Sequence, residues 1–198
     1  MPRSNLQATD EASVITRAAQ GDREAYGQLY ERYVGKVFRH VYYLTGDPLL
    51  AEDLTAQTFL KALEAVHRFE LRGVPFLAWL LRIASNLTIN YKKGFKNGNG
   101  HTHLPEGMDP EGTLLSPEES CEAKANGERI WQSVRQLRGD QRQVIVMRFI
   151  DGLSYPEIAQ VLSKSTGAVR VTQHRALATL RQLLEDHLGH EKPDSRAG

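Results

Sequence analysis

Several features are scarce or absent in this 198-residue sequence. The single cysteine, Cys121, excludes an internal disulfide framework. No run of about 18 apolar residues occurs, which argues against a transmembrane helix. The first ten residues lack the basic and apolar segments of a secretory signal, so we expect a cytoplasmic protein. Strand-like alternation is also missing, whereas apolar residues recur at helical spacing throughout, and we therefore predict an all-α fold.

Acidic residues are missing from two long stretches, although the formal net charge is only +1. Every charged residue strictly between Glu157 and Glu185 is basic, and a second basic block occupies residues 72–96. The intervening residues 97–123 carry only negative formal charges, at Glu106, Asp109, Glu111, Glu118, Glu119 and Glu122. Two basic surfaces joined by an acidic segment are the charge pattern that any assigned function has to explain.

The acidic segment, residues 97–123, is rich in glycine and proline and has no apolar period, so it is predicted to be a flexible linker. It separates a domain of residues 1–96 from a domain of residues 124–186. The polar residues 187–198 are predicted to form a disordered tail. The expected architecture is thus two small helical domains joined by a linker.

Capping signals mark the helices of the first half. Asp22 is a suitable N-cap for a long helix that ends at Gly46, and Asp47 followed by Pro48 is typical of the start of the next one. Pro75 is expected to open the last helix of this half, which carries Trp79 on its apolar side.

Residues 154–184 have the pattern of a helix-turn-helix. Ser154 and Glu157 form a capping box at the start of its first helix, and Ser165 is a suitable N-cap for the second. On that second helix the apolar residues form one stripe, and we predict that the opposite face enters a DNA major groove through Arg170, Val171, His174 and Arg175. Lys164 and Arg181 flank this face and are expected to contact phosphates. The alternative for these cations is an ordinary solvated face. Gln173 lies near the apolar stripe and is expected to be a partly buried amide.

Motifs along both halves resemble those of bacterial RNA polymerase sigma factors of the sigma-seventy superfamily, in the extracytoplasmic-function group. In the first half these are Ala51-Glu52-Asp53-Leu54, Thr58-Phe59-Leu60 and the run Ala78-Trp79-Leu80-Leu81-Arg82-Ile83-Ala84-Ser85-Asn86. In the second half they are Leu153-Ser154-Tyr155-Pro156-Glu157-Ile158-Ala159, Gly167-Ala168-Val169 and His174-Arg175-Ala176. Their order around a linker makes the resemblance specific.

The resemblance implies that the first domain docks on core RNA polymerase and opens the minus-ten promoter element, while the second binds the minus-thirty-five element. The docking residues it implies are Glu52, Asp53, Leu54, Thr58 and Phe59. Base stacking and backbone contacts offset the cost of unstacking promoter bases. The residues assigned to the unpaired strand are Phe69, Arg82, Asn86, Lys92 and Lys93, with core packing as the alternative for Phe69.

The implied partners are core RNA polymerase, promoter DNA and an anti-sigma factor, with no membrane. His101, His103 and Cys121 are too irregularly spaced for a zinc site, so we predict no metal and no cofactor. The main rival function is a stand-alone regulator with a helical sensor half. A DNA-cleaving or recombining enzyme would need clustered carboxylates or a placed nucleophile, and neither is visible, so no catalytic activity is predicted.

Overall fold

The computed structural model describes residues 3–71, 73–96 and 121–190. These residues form helices and no β-strand, which confirms the predicted all-α fold. The first half contains α1 (Arg3–Ala19), α2 (Arg23–Thr45), α3 (Pro48–Ala65) and α4 (Phe76–Lys96), and the second contains α5 (Cys121–Gln136), α6 (Gly139–Ile145), α7 (Tyr155–Leu162) and α8 (Thr166–His190). None of the described helices is long and apolar enough to cross a membrane.

The predicted caps set the ends of the helices in the first half. The Asp22 carboxylate accepts hydrogen bonds from two backbone amides of α2, and Gly46 ends that helix in the left-handed region at φ 77°. Asp47 caps α3 through the amide of Leu50, with Pro48 in the first turn. Helix α1 was not among the predicted elements; Val14, Ile15 and Ala18, on its inner side, are buried.

A π-helical turn, Val146–Ile150, follows α6 directly and leads into the helix-turn-helix. Its backbone continues to Asp151, whose amide donates to the Val146 carbonyl. Val146 and Met147 in this turn are fully buried. The turn therefore anchors the segment that connects α6 to α7.

The two halves share one hydrophobic core. Val144, Met147 and Ile158 of the second half belong to the same buried cluster as residues of α1 to α4. A smaller cluster around Val134, Leu137 and Ala176 lies within the second half. The first half is therefore packed against the second in this structure.

Helix boundaries differ from the sequence prediction at two places. Helix α5 begins at Cys121, within the predicted linker of residues 97–123, and residues 97–120 lie outside the described part of the chain. Helix α8 continues to His190, so it extends four residues into the predicted tail of residues 187–198. The remainder of that tail also lies outside the described residues.

Candidate functional site

The helix-turn-helix is held by reciprocal capping. The Ser154 amide donates to the Glu157 carboxylate over 2.6 Å, and the Glu157 amide donates to the Ser154 hydroxyl over 3.5 Å. Ser163 ends α7 with a left-handed φ of 52°, which is uncommon for a residue other than glycine. The Ser165 hydroxyl then accepts from the Ala168 amide over 3.1 Å at the start of α8. The predicted geometry of α7, turn and α8 is therefore confirmed.

The outer face of α8 is the candidate major-groove surface. All four residues predicted for base contacts are exposed: Arg170, Val171, His174 and Arg175. On the inner side Val169 and Ala176 are fully buried, so the angular placement derived from the helical period is correct. Gln173 is half-buried, and its Oε1 atom has no hydrogen-bond partner among the described residues. It occupies the seam between the two faces.

Tyr155 connects this face to the start of α7. The Arg170 guanidinium carbon lies 5.1 Å from the centroid of the Tyr155 ring, and that of Arg148 lies 4.9 Å from it. Arg148 also donates to the Leu153 carbonyl over 2.9 Å. Both arginines are thus within cation–π distance of one ring. Neither Tyr155 nor Arg148 was predicted as a site residue, because these contacts join three different elements.

The two cations predicted to contact phosphates have acidic neighbours. Arg181 Nε donates to the Glu185 carboxylate over 2.8 Å, a contact that raises the pKa of the guanidinium further. Lys164 Nζ lies 3.9 Å from a carboxylate oxygen of Asp140, which is near the upper limit for an ion pair. The acidic partner of Lys164 is farther away than that of Arg181, so Lys164 carries the less compensated charge of the two.

The second candidate nucleic-acid surface lies on α4. Arg82, Asn86 and Lys93 are exposed there, as a strand-binding role requires. Lys92 is exposed as well, but its ammonium group donates to the Leu44 carbonyl over 2.7 Å in a partly buried contact. Burial, with a contribution from the positive charge of Arg142, lowers the pKa of Lys92 to about 8. The ammonium group of Lys92 is therefore bound at the C-terminal end of α2 in this structure.

Phe69 belongs to an aromatic cluster rather than to an open surface. Its ring centroid lies 5.2 Å from that of Phe76 and 5.1 Å from that of Trp79, and the ring is half-buried. These two ring contacts occupy part of the Phe69 surface on which a promoter base would stack. The structure thus favours the core alternative for Phe69 over the predicted stacking platform.

Of the five residues on α3 that were predicted to dock on polymerase, two are exposed and three are buried. Glu52 and Asp53 are exposed, and the Asp53 carboxylate accepts from the Gln57 amide over 2.9 Å. Leu54, Thr58 and Phe59 are 2%, 0% and 5% exposed. These three were predicted to dock on polymerase, but their side chains face the core and have almost no surface to present.

Two leucines on α3 were not predicted as docking residues. Leu60 is 59% exposed and Leu63 is 49% exposed. Seven residues correspond to nearly two helical turns, so Leu60 lies on the same face as Asp53. The exposed face of α3 therefore combines two carboxylates with two leucines. Helical angle applied to the motif Thr58-Phe59-Leu60 would have identified Leu60 as the outward residue.

Comparisons with known proteins agree with the resemblance. The family models Sigma-70 region 2 and Sigma-70 region 4 match residues 29–95 and 127–180. The chain is 35% identical to the ECF RNA polymerase sigma factor BldN of Streptomyces coelicolor, over 93% of this chain and 70% of that protein. It is 29% identical to the ECF RNA polymerase sigma factor SigW of Bacillus subtilis, over 87% of this chain and 95% of that protein. Among solved structures, CnrH in complex with the cytosolic domain of CnrY superposes with a TM-score of 0.65 at 27% identity, covering 87% of this chain and 96% of CnrH.

Proposed function

This chain belongs to the extracytoplasmic-function sigma factors of the sigma-70 family, and we propose that its two halves contact different parts of one promoter. As a sigma factor it initiates transcription. The domain division proposed is residues 1–96 for polymerase and the minus-ten element, and residues 124–186 for the minus-thirty-five element. We further propose that it acts in the cytoplasm and that the polymerase, rather than this chain, carries out the catalytic chemistry.

The observation that carries the DNA-binding part of this proposal is the exposed face of α8. Arg170 and Arg175 project from it with no acidic residue among their neighbours in sequence, so they are suited to a polyanion. Arginine can also donate two hydrogen bonds to guanine, which gives sequence preference. We assign base contacts to Arg170, Val171, His174 and Arg175, and phosphate contacts to Lys164 and Arg181.

For the first half we propose a strand-binding surface on α4 and a docking surface on α3. Arg82, Asn86 and Lys93 are exposed on one helix and suit a single strand whose backbone needs cations. The docking surface comprises Glu52, Asp53, Leu60 and Leu63. Exposed leucines flanked by carboxylates fit a partner that offers both apolar and basic groups.

We also propose an anti-sigma factor as a partner. The support is the likeness to CnrH, which was solved with a second protein, the cytosolic domain of CnrY, bound to it, so a chain of this fold can be held by a partner protein. An anti-sigma factor that covers the docking surface on α3 would compete with core polymerase.

The proposal is tested by in-vitro transcription with purified core polymerase and a library of promoter fragments. We expect the chain to join core polymerase and to direct initiation from a subset of fragments that share two elements. Leu60→Ala should weaken the joining step, and Arg175→Ala should weaken the choice of fragments. A chain that binds duplex DNA selectively but neither joins core polymerase nor directs a start site would be a stand-alone regulator, contrary to this proposal.

A further inference from the structure

Helix α1 has no role in the function proposed above. It precedes the residues that the Sigma-70 region 2 model matches. Val14 and Ile15 on its inner side are buried in the same cluster as Val66. Val66 begins a short 3₁₀ turn, Val66–Arg68, which α1 contacts, and the Phe69 amide closes that turn by donating to the Val66 carbonyl over 3.0 Å. Helix α1 is therefore packed against the base of the segment that leads to α4.

A buried hydroxyl also ties α1 to α2. Tyr33 of α2 is 4% exposed, and its hydroxyl donates to the Glu11 carboxylate of α1. The other carboxylate oxygen of Glu11 lies 4.0 Å from a guanidinium nitrogen of Arg32. Burial, with a contribution from the Glu11 carboxylate, raises the pKa of the Tyr33 hydroxyl, so this group remains a donor at neutral pH. The hydrogen bond fixes the position of the Tyr33 ring relative to α1.

The Tyr33 ring is one of four aromatic rings in contact. Its centroid lies 5.5 Å from that of Phe76, which is also buried. The Phe76 centroid lies 5.2 Å from those of Phe69 and Trp79, and these two are 5.1 Å apart. The rings of Phe69, Phe76 and Trp79 form what we call the ring cluster. Because a packed interior leaves little free space, a shift of Tyr33 would move Phe76 and, through it, the other two rings.

The ring cluster lies at one end of the surface proposed for the unpaired strand. Trp79 is half-buried, and Asn86 follows it by seven residues, which is nearly two helical turns. The two side chains therefore project from the same face of α4, with Arg82 about one turn after Trp79. A strand that binds along this face reaches the ring cluster at the N-terminal end of the helix. Since unpaired bases are recognised by stacking and by the shape of the pocket that receives them, the placement of the rings determines which base fits there.

We propose that Glu11 and Tyr33 are positioning residues for the unpaired promoter strand: they hold the ring cluster in place and so set the preference for the base at one position of the minus-ten element. This inference rests on the proposed function of the α4 surface. Tyr33 acts from the core, and Glu11 is acidic and would repel a phosphate. Their effect on the strand therefore passes through the rings and needs no contact with DNA.

The test measures base preference with the chain bound to core polymerase. Starting from a promoter fragment that the chain recognises, each position of the two elements is changed in turn to every other base, and initiation rates are compared. Tyr33→Phe and Glu11→Ala each remove the hydrogen bond and should reduce the ratio of the best to the worst base at one minus-ten position about three- to tenfold. Ratios at the minus-thirty-five element should not change. Because each ratio compares fragments on one enzyme preparation, a partial loss of folded protein lowers all rates and leaves the ratios unchanged.

Two variants are matched controls. Glu11→Gln keeps an acceptor oxygen of similar reach and should retain most of the base preference. Tyr26→Phe removes another hydroxyl of α2, one that donates to the Phe59 carbonyl on the side facing α3, and should leave the preference as it is in the parent.

A second measurement needs neither polymerase nor promoter. The chain has two tryptophans, so Trp131→Phe leaves Trp79 as the only indole. In that background, Tyr33→Phe and Glu11→Ala should increase the quenching of Trp79 fluorescence by acrylamide, whereas Glu11→Gln and Tyr26→Phe should not. Unchanged quenching in both Tyr33→Phe and Glu11→Ala overturns the link between α1 and the ring cluster.

The two measurements separate the ways in which the proposal can fail. Increased quenching with unchanged minus-ten ratios overturns the role in base preference, and so does an equal fall in the ratios at every position of both elements. A parent protein that shows no preference at the minus-ten element contradicts the proposed function of the α4 surface. The quenching result then still decides whether Glu11 and Tyr33 hold the rings.

Discussion

Neighbouring residues on α3 are expected to respond in opposite ways to truncation. Leu60 is 59% exposed, and full burial of a leucine side chain is worth about 1.5 to 3 kcal/mol, so covering its exposed part contributes about 1 to 2 kcal/mol. Leu60→Ala should therefore weaken binding to core polymerase by roughly five- to twentyfold. Because the side chain lies largely in water, the free energy of unfolding should change by only about 0.5 kcal/mol.

Phe59→Ala should show the reverse pattern. This ring is 5% exposed and contacts Tyr30 edge-on at 4.8 Å, so its removal leaves a cavity that costs about 3 to 5 kcal/mol of stability. At about 2 to 4 °C per kcal/mol, the melting temperature should fall by roughly 6 to 20 °C. At a temperature where the variant remains folded, its affinity for polymerase should be close to that of the parent.

Two assays separate these effects. Fluorescence anisotropy of the labelled chain, titrated with core polymerase, gives the affinity, and thermal unfolding followed by circular dichroism gives the stability. Leu177→Ala, an exposed leucine on α8, is the matched control and should alter neither. Unchanged polymerase affinity for Leu60→Ala, or a loss of stability as large as that of Phe59→Ala, would refute the division of α3 into an exposed docking face and a buried face.

Substitutions at four other residues test the remaining parts of the molecule. Ser154→Ala removes one half of the capping box and should lower stability by about 1 kcal/mol in thermal unfolding, whereas Ser154→Asp should restore most of it. In DNA-binding titrations, Arg175→Ala should reduce the free energy of binding by about 1 to 3 kcal/mol and loosen the sequence preference. Lys164→Ala should weaken binding to all sequences alike and reduce the slope of affinity against salt concentration by about one. Equal losses of affinity on every sequence for both variants would contradict these roles. Between pH 8 and pH 10.5 the unfolded chain holds the Lys92 proton more tightly than the folded chain does, because the pKa of Lys92 is lowered on folding. Lys92 therefore makes the free energy of unfolding rise with pH in that window. In urea unfolding, Lys92→Met should lack this part of the rise.

The features that were predictable from sequence are local ones. The caps at Asp22, Asp47 and Ser154 depend on residues within three or four positions, and so does the separation of the two faces of α8. Each such feature is determined by backbone hydrogen bonding and helical period, which a short stretch of sequence contains in full.

Some residues predicted to dock on polymerase are buried in the structure, because they were chosen by their position in a motif and not by their angle on the helix. Leu54 and Thr58 were assigned to docking with the rest of their motifs, although Ala51, Leu54, Thr58 and Ala62 form one inward stripe at spacings of three and four. That signal was present in the sequence. The contact between His40 and Asp151 joins residues 111 positions apart, and no local pattern relates two such positions.

Tyr155 has a consequence for how α8 meets DNA. An arginine side chain carries about 2 kcal/mol of rotamer entropy, which binding to a base would have to remove. The Tyr155 ring, 5.1 Å from the Arg170 guanidinium, restricts that side chain before any DNA arrives. Part of the rotamer entropy of Arg170 is therefore already lost when the protein folds, and the side chain is preorganised in one orientation. If Arg170 contacts a base as proposed, a side chain held in this way would adapt poorly to a different base, and the aromatic ring would sharpen discrimination without touching the DNA itself.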